Sequence, residues 1–452
     1  MSEPSDASSL SLPRLSRAAT RTNGSSPAWS QHLARATLVF LVVLALLGPW
    51  MTTYNTEAQN TGRQVGYGIV LVLSLAALRP WRHPERLLVV PWPLLVALAW
   101  CWLSAFWMLD PGVGIRRLVL TMIVIWSLFA LIRLLGTEQA VAIVRIVLAI
   151  MLVVNFAAVL FYPNVGKHPS SDDLAGQWRG IMGHKNFAGV PCAMTILFCI
   201  FDAGRVHRLL RLAIGAGAVV FLIMSGSKTS IGIGVVSVAT GVVFTMLAKQ
   251  FQQRQLAPVA YAWLLLLIPA AIFVSMAYDP TYYLSLVSDP AGFTGRTQIW
   301  TALIKAYVDR PWLGVGYGSF WDLGPSGPIF DYGSGWVTQV SEGHNSYLDF
   351  LVQIGMIGTL IMFYALLVWP TQRLLYGGDH PARPLSAAII VFCVGHSFTE
   401  SQLFDRDSLV QVFMMVAIAL LWNVTAAPVG HGRAAVPSRR AASERPRAPL
   451  RL

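Results

Sequence analysis

Charge is scarce in this sequence: 12% of its 452 residues are Asp, Glu, Lys or Arg, against 55% that are apolar. So few charges cannot solvate a soluble protein of this size, which sets the soluble enzyme classes aside. Acidic residues are the rarer kind, 21 against 33 cationic ones, so we expect no metal cluster of the DxD kind, no metal and no cofactor. Cysteine is rarer still. The four, Cys101, Cys192, Cys199 and Cys393, sit in apolar runs without metal-ligand spacing or a disulfide framework. No small-x-small cleavage site follows the first apolar run, so a removable signal peptide is not expected.

What the chain has instead is apolar runs long enough to cross a bilayer. The expected fold is all-α: a polytopic membrane protein of about twelve spans, near 33–52, 65–80, 87–108, 115–135, 139–162, 186–204, 207–225, 228–248, 259–278, 346–370, 384–399 and 408–426. The second and eleventh are short. Trp and Tyr stand at many span ends, among them Trp81, Tyr162, Tyr347, Trp369 and Trp422, as interfacial rings do. The Ser-, Ala- and Arg-rich segment 1–32 and the Arg-rich segment 427–452 read as solvated, disordered tails flanking a membrane domain over 33–426. Most Lys and Arg fall in one set of loops and in the tails, which puts both termini in the cytoplasm. The net charge of +12 therefore reports topology, and nucleic acid is not an expected partner.

This orientation leaves the informative polar segments on the outer face. One runs over 163–185, a short junction occupies Ser225–Ser230, a long loop spans 279–345 and a last one runs from His396 to Asp407. Within the long loop, Ile299, Trp300, Leu303, Ile304, Tyr307 and Val308 recur at helical spacing, with Gln298, Thr301, Lys305 and Asp309 on the opposite side. That pattern is an amphipathic helix, capped by Thr294 and stopped by Pro311, lying at the membrane surface or folded back over the spans. Gly314-Val-Gly-Tyr-Gly318 follows as a permissive turn, without the lysine or βαβ setting of a phosphate loop.

His344 ends the long loop just before an apolar helix. An imidazole there can accept a proton near neutral pH, or can simply cap the helix. Converging outer loops would bring Arg179, Lys185, Lys228 and Arg296 round it, a set suited to a diphosphate. A diphosphate leaves readily once its charge is met, so the step needing help is deprotonation of the attacking hydroxyl. Glu342 and Asn345, on either side of His344, are further candidate substrate contacts. Glu400, Asp405 and Arg406 are candidates for the acceptor side.

Five stretches carry a resemblance: Arg179-Gly-Ile-Met-Gly-His-Lys-Asn186, Ser225-Gly-Ser-Lys-Thr-Ser230, Gly295-Arg-Thr-Gln-Ile-Trp300, Arg310-Pro-Trp-Leu-Gly-Val-Gly-Tyr-Gly-Ser-Phe320 and Gly343-His-Asn-Ser-Tyr-Leu348. In this order they resemble the O-antigen ligase and polymerase superfamily, and the Gly-His-Lys-Asn form is similar to its exopolysaccharide polymerase branch. The resemblance implies a twelve-helix, metal-independent glycosyltransferase of the bacterial inner membrane. Such an enzyme takes a glycan from undecaprenyl diphosphate and joins it, with inversion, to a lipid-linked acceptor at the periplasmic face. Carried over by motif, His344 is the catalytic base, and Arg179 and Arg296 contact the diphosphate. Lys228 stands where many members have arginine, which reduces a two-point contact to a point charge. Within the class, a ligase acting on lipid A-core is the alternative to a polymerase. Outside it stand a flippase for lipid-linked sugars and an acyltransferase. A transporter places its ionisable groups at mid-membrane, where here only Arg145 and Asn155 stand out.

Overall fold

The structure, a computed structural model, describes residues 27–53, 57–171, 174–202, 206–251, 295–324, 327–376 and 380–425. Its longer helices are α1 (Ala28–Thr53), α2 (Glu57–Leu78), α3 (Trp92–Leu103), α4 (Pro111–Leu135), α5 (Thr137–Phe161), α6 (Lys185–Phe201), α7 (Arg208–Ser225), α8 (Lys228–Phe251), α9 (Arg296–Asp309), α10 (Ser346–Phe363), α11 (Trp369–Tyr376), α12 (Ala382–His396) and α13 (Leu409–Thr425). Among the described residues, seven helical stretches are long and apolar enough to cross a membrane, and four shorter apolar helices accompany them. The all-α polytopic reading holds. Eleven of the twelve expected spans coincide with helices; the ninth, 259–278, lies outside the described residues.

The differences have local causes. Pro91 and Pro93 at its start, and a tight 3-10 turn over Ser104–Phe106 at its end, cut the expected third span to the 12 residues of α3. The second span is longer than its apolar core suggested, because polar Glu57, Gln59, Asn60 and Arg63 continue the helix. Asp110 caps α4 by accepting from Val113 N at 3.0 Å, with Pro111 at the first helical position.

Helix α13 is buried at every residue from Leu409 to Leu421. It is apolar on all sides and packs against α4, α11 and α12, as a helix enclosed by others should be. Around it α1 pairs with α2, α6 with α7, and α8 with α12. The four cysteines are buried and unpaired. Arg145 of α5 forms an ion pair with Asp202 at the end of α6, and Asn155 accepts from Ile181 N at 3.0 Å. The two polar residues inside that span thus tie helix to helix and loop to helix.

Helix α10 breaks at Gly355, whose φ of 67° and ψ of −177° leave the helical region. A break inside an apolar helix strands backbone groups that need other partners. The turn predicted at Gly314–Gly318 supplies their partners. Val315 N and Gly316 N donate to the Val352 and Gln353 carbonyls at 2.9 and 2.8 Å, and Met356 N donates to Pro311 O at 2.8 Å. A side chain at Gly355 would overlap the Trp312 carbonyl, and a Cβ at Gly314 would stand 2.6 Å from the Gln353 backbone.

The expected amphipathic helix is α9. It ends at Asp309, ahead of Pro311 as expected; Thr294 lies outside the described residues, and Gly295 occupies the cap position with φ 83°. Its buried face is Thr297, Ile299, Ala302, Leu303 and Ala306, whereas Ile304 and Val308 are exposed. The face is rotated from the expected one because α9 folds back on α10, where the alanines allow close approach, around a small core with Phe320, Trp321, Ile329 and Val337.

Candidate active site

Five separate segments meet at the start of α10. Asn345 accepts from Tyr347 N at 3.0 Å and Leu348 N at 3.1 Å, so it is the residue that caps the helix. Capping by Asn345 releases His344 from that role. His344 takes a left-handed backbone, φ 48°, an uncommon conformation for a residue other than glycine. The loop is pinned on both sides of it: Trp300 donates to Gly343 O at 3.2 Å, Gly343 N donates to Asp349 at 3.3 Å, and Asn345 N donates to Ser401 Oγ at 3.0 Å.

Glu400 is the hub. Its Oε2 accepts from His344 Nδ1 at 3.1 Å, and its Oε1 accepts from both Arg296 Nη2 and Asn186 Nδ2 at 2.8 Å. The carboxylate is 4% exposed and His344 28%. The backbone under Glu400 is fixed as well, since Ser346 Oγ donates to its carbonyl at 3.0 Å. Asn186 is held in turn by Ser227 Oγ at 3.3 Å; Ser227 reaches Ser230 at 3.1 Å, and Ser230 contacts His396 Nε2 at 3.3 Å. The junction of α7 and α8 therefore acts through its serines.

The electrostatics follow from this geometry. Burial acting alone would lower the His344 pKa, but the Glu400 hydrogen bond and the charges of Glu342 and Glu400 outweigh burial and the opposing Arg296, so it stands above the ordinary histidine value. Burial pushes Glu400 up, yet His344, Arg296 and His396 together hold it below the usual carboxylate range. Glu342, with an oxygen 3.3 Å from the same Nδ1, is raised by burial first and then by Glu400 and Asp349. Both carboxylates address Nδ1. This fixes the tautomer with the proton on Nδ1 and leaves Nε2 to act as base.

The other expected site residues fall in different places. Arg179 directs its guanidinium at the carbonyls of Val165, Gly183 and Asn164, at 3.0, 3.3 and 3.2 Å, and so holds its own loop together. Lys185 opens α6 beside His184, which caps that helix by accepting from Asn186 N at 3.2 Å and whose pKa burial, with His168, lowers to about 4. Lys228 is exposed at the start of α8, between Ser227 and Thr229, whose hydroxyls reach Asn186 and Thr399. Of the four cations, Arg296 is the one joined to His344 through Glu400. Glu400 itself was expected on the acceptor side, and its outer-loop position among so few acids was the sole signal for it.

Glu342, His344 and Glu400 place three ligand-type atoms within 4.8 Å of one another, a set that could hold a divalent cation. Against the sequence-based expectation, one Asp-x-Asp does occur, Asp405-Arg406-Asp407. Its carboxylates pair with arginines, Asp405 with Arg406 and Asp407 with Arg63.

His344 and Glu342 border a cavity of about 1080 Å³. Residues 212–363 match the family described as O-Antigen ligase. No curated protein matches the chain. The matched stretch contains Lys228, Arg296, Glu342, His344 and Asn345, and leaves Asn186 and Glu400 outside it. Residues 212–363 of this all-helical chain are thus similar to the O-Antigen ligase family, and they hold the His344 loop.

Proposed function

We propose that the chain is a polysaccharide polymerase, an inverting glycosyltransferase that moves a glycan from undecaprenyl diphosphate onto a lipid-linked repeat unit at the periplasmic face of the inner membrane. The observation that carries this reading is the chain of contacts His344–Glu400–Arg296, drawn from three separate segments, with His344 bordering one large cavity. His344 Nε2 takes the proton of the acceptor hydroxyl. The hydroxyl oxygen then forms a bond to the anomeric carbon, and the bond from that carbon to the diphosphate oxygen breaks, with both electrons leaving on the diphosphate. Displacement from the opposite side inverts the anomeric centre. Glu400 stabilises the imidazolium as it forms, as a carboxylate behind a catalytic histidine does. Arg296 neutralises charge that develops on the leaving group, and Lys228, exposed at the start of α8, adds a point charge. Arg179 and Lys185 act by shaping the loop that delivers Asn186.

The positive-inside distribution of Lys and Arg supports cytoplasmic termini and a His344 on the outer side. The test is to give the purified chain a lipid-linked repeat unit. A ladder of lengthening chains is expected. A single addition onto lipid A-core instead would make it a ligase, and relocation of the lipid without new glycosidic bonds would make it a flippase.

A further inference from the structure

Holding the proton on His344 Nδ1 takes one carboxylate, and Glu400 supplies it. The structure brings a second to the same nitrogen. Glu400 Oε2 lies 3.1 Å from Nδ1 and Glu342 Oε1 lies 3.3 Å from it, with the three atoms all within 4.8 Å of one another. Two carboxylates this close repel when both are ionised. The backbone nevertheless keeps them there. Glu342 and His344 flank Gly343, whose N–H donates to Asp349 and whose carbonyl accepts from Trp300, while the Glu400 carbonyl accepts from Ser346 Oγ. The transfer reaction proposed above has no use for Glu342.

The spacing is that of metal ligands. Zinc bonds of about 2.0–2.2 Å set tetrahedral ligand atoms about 3.3–3.6 Å apart, so both contacts at Nδ1 already lie close to a tetrahedral edge. One imidazole with two carboxylate oxygens suits a borderline transition ion. The outer partners that orient such ligands are present as well. Arg296 and Asn186 both hold Glu400 through Oε1 at 2.8 Å, which leaves Oε2 turned to the imidazole. Access is open, because His344 and Glu342 border the cavity and are 28% and 27% exposed. The cavity side leaves a fourth ligand position to water.

We infer that Glu342, His344 and Glu400 form an inhibitory site for a divalent transition ion of the zinc class. A metal on Nδ1 displaces the proton held there, and the neutral imidazole then carries its one proton on Nε2. Nε2 thereby loses the lone pair with which it takes up the proton of the acceptor hydroxyl, and transfer stops while the ion is bound. Mg²⁺ does not act in this way, since it prefers six oxygen ligands and keeps several of its waters. The inhibition rests on the transfer reaction proposed above; the binding of the ion does not.

The test uses the full chain in nanodiscs with Co²⁺ and Zn²⁺ as probes. Without substrate, Co²⁺ added to the wild type should bring up the visible absorption of a four- or five-coordinate ion, and Zn²⁺ should remove it. Glu342→Gln, with Glu342→Ala as the second variant, should weaken that binding at least about tenfold. With a lipid-linked repeat unit, Zn²⁺ should stop transfer, Mg²⁺ at the same concentration should not, and excess EDTA should restore the rate. Half-inhibition of the Glu342 variants, each read against its own zinc-free rate, should need at least about tenfold more Zn²⁺. No cobalt signal, a signal unchanged in both variants, or transfer undiminished at saturating Zn²⁺ would each overturn the assignment. Equal inhibition of wild type and variants would overturn it too, as the mark of zinc sequestered by the substrate diphosphate. Absence of transfer by the zinc-free wild type would count against the proposed reaction instead and leave the cobalt signal standing, so the two failures are told apart.

Discussion

Glu400→Gln is the perturbation that separates this account from a merely packed histidine. The substitution keeps the shape of a side chain that is 4% exposed and removes the charge that meets His344, Arg296 and Asn186. A hydrogen bond to a charged partner contributes about 1.5–3 kcal/mol, against ~1 kcal/mol for a neutral one. The difference corresponds to about one pH unit at 1.4 kcal/mol per unit. In the wild type the base must be neutral, and Glu400 and Glu342 raise its pKa above the ordinary value against burial. Transfer should therefore rise with pH through a limb above about 6.5. In Glu400→Gln burial and Arg296 prevail, and the limb should move about one unit or more towards acid. The plateau should fall as well, by about 10²–10⁴-fold, because the amide no longer stabilises the imidazolium and can present its NH₂ to Nδ1, reversing the tautomer. The assay is glycan transfer from a lipid-linked repeat unit by the chain in nanodiscs, from about pH 5 to pH 9. An unmoved limb together with a wild-type plateau would refute the role given to Glu400.

Four further outcomes are expected. Arg296→Ala leaves Glu400 buried without its guanidinium, which should cost about 3–5 kcal/mol; adding Glu400→Gln should restore much of the melting temperature and none of the activity. Gly355→Ala forces a Cβ against the Trp312 carbonyl at a left-handed position, and the yield of monodisperse protein in detergent should fall sharply. Lys228→Arg should lower the KM for donor and leave the melting temperature unchanged, since the side chain is exposed. Transfer in excess EDTA should match the untreated rate; a loss restored by a divalent ion would assign Glu342, His344 and Glu400 to a metal.

The spans were legible because burial in lipid requires long apolar runs, and those are visible in any window of sequence. α3 was misjudged because Pro91 and Pro93 act on the backbone without altering hydropathy. The rotation of α9 was hidden for a related reason: Ala302 and Ala306 rank low in hydrophobicity, yet they permit the close approach to α10 that sets its buried face. His344 and Arg296 could be found by their residue types in an outer loop. Glu400 could not be assigned to them, since 56 and 104 residues separate it from its two partners, and only the packing of α10 against the loop after α12 brings them together. Arg179 shows the converse. Its motif position suggested a substrate contact, while its three carbonyl partners follow from a loop conformation that no spacing records.

The most direct test of the central claim, that one imidazole held by Glu400 activates the acceptor, is a count of undecaprenyl diphosphate released against glycosidic bonds formed, for the wild type and His344→Ala on the same lipid-linked substrate. One release per bond is expected for the wild type, and neither release nor bond for the variant, with both proteins inserted and equally abundant. Bond formation by His344→Ala at the wild-type rate would contradict it.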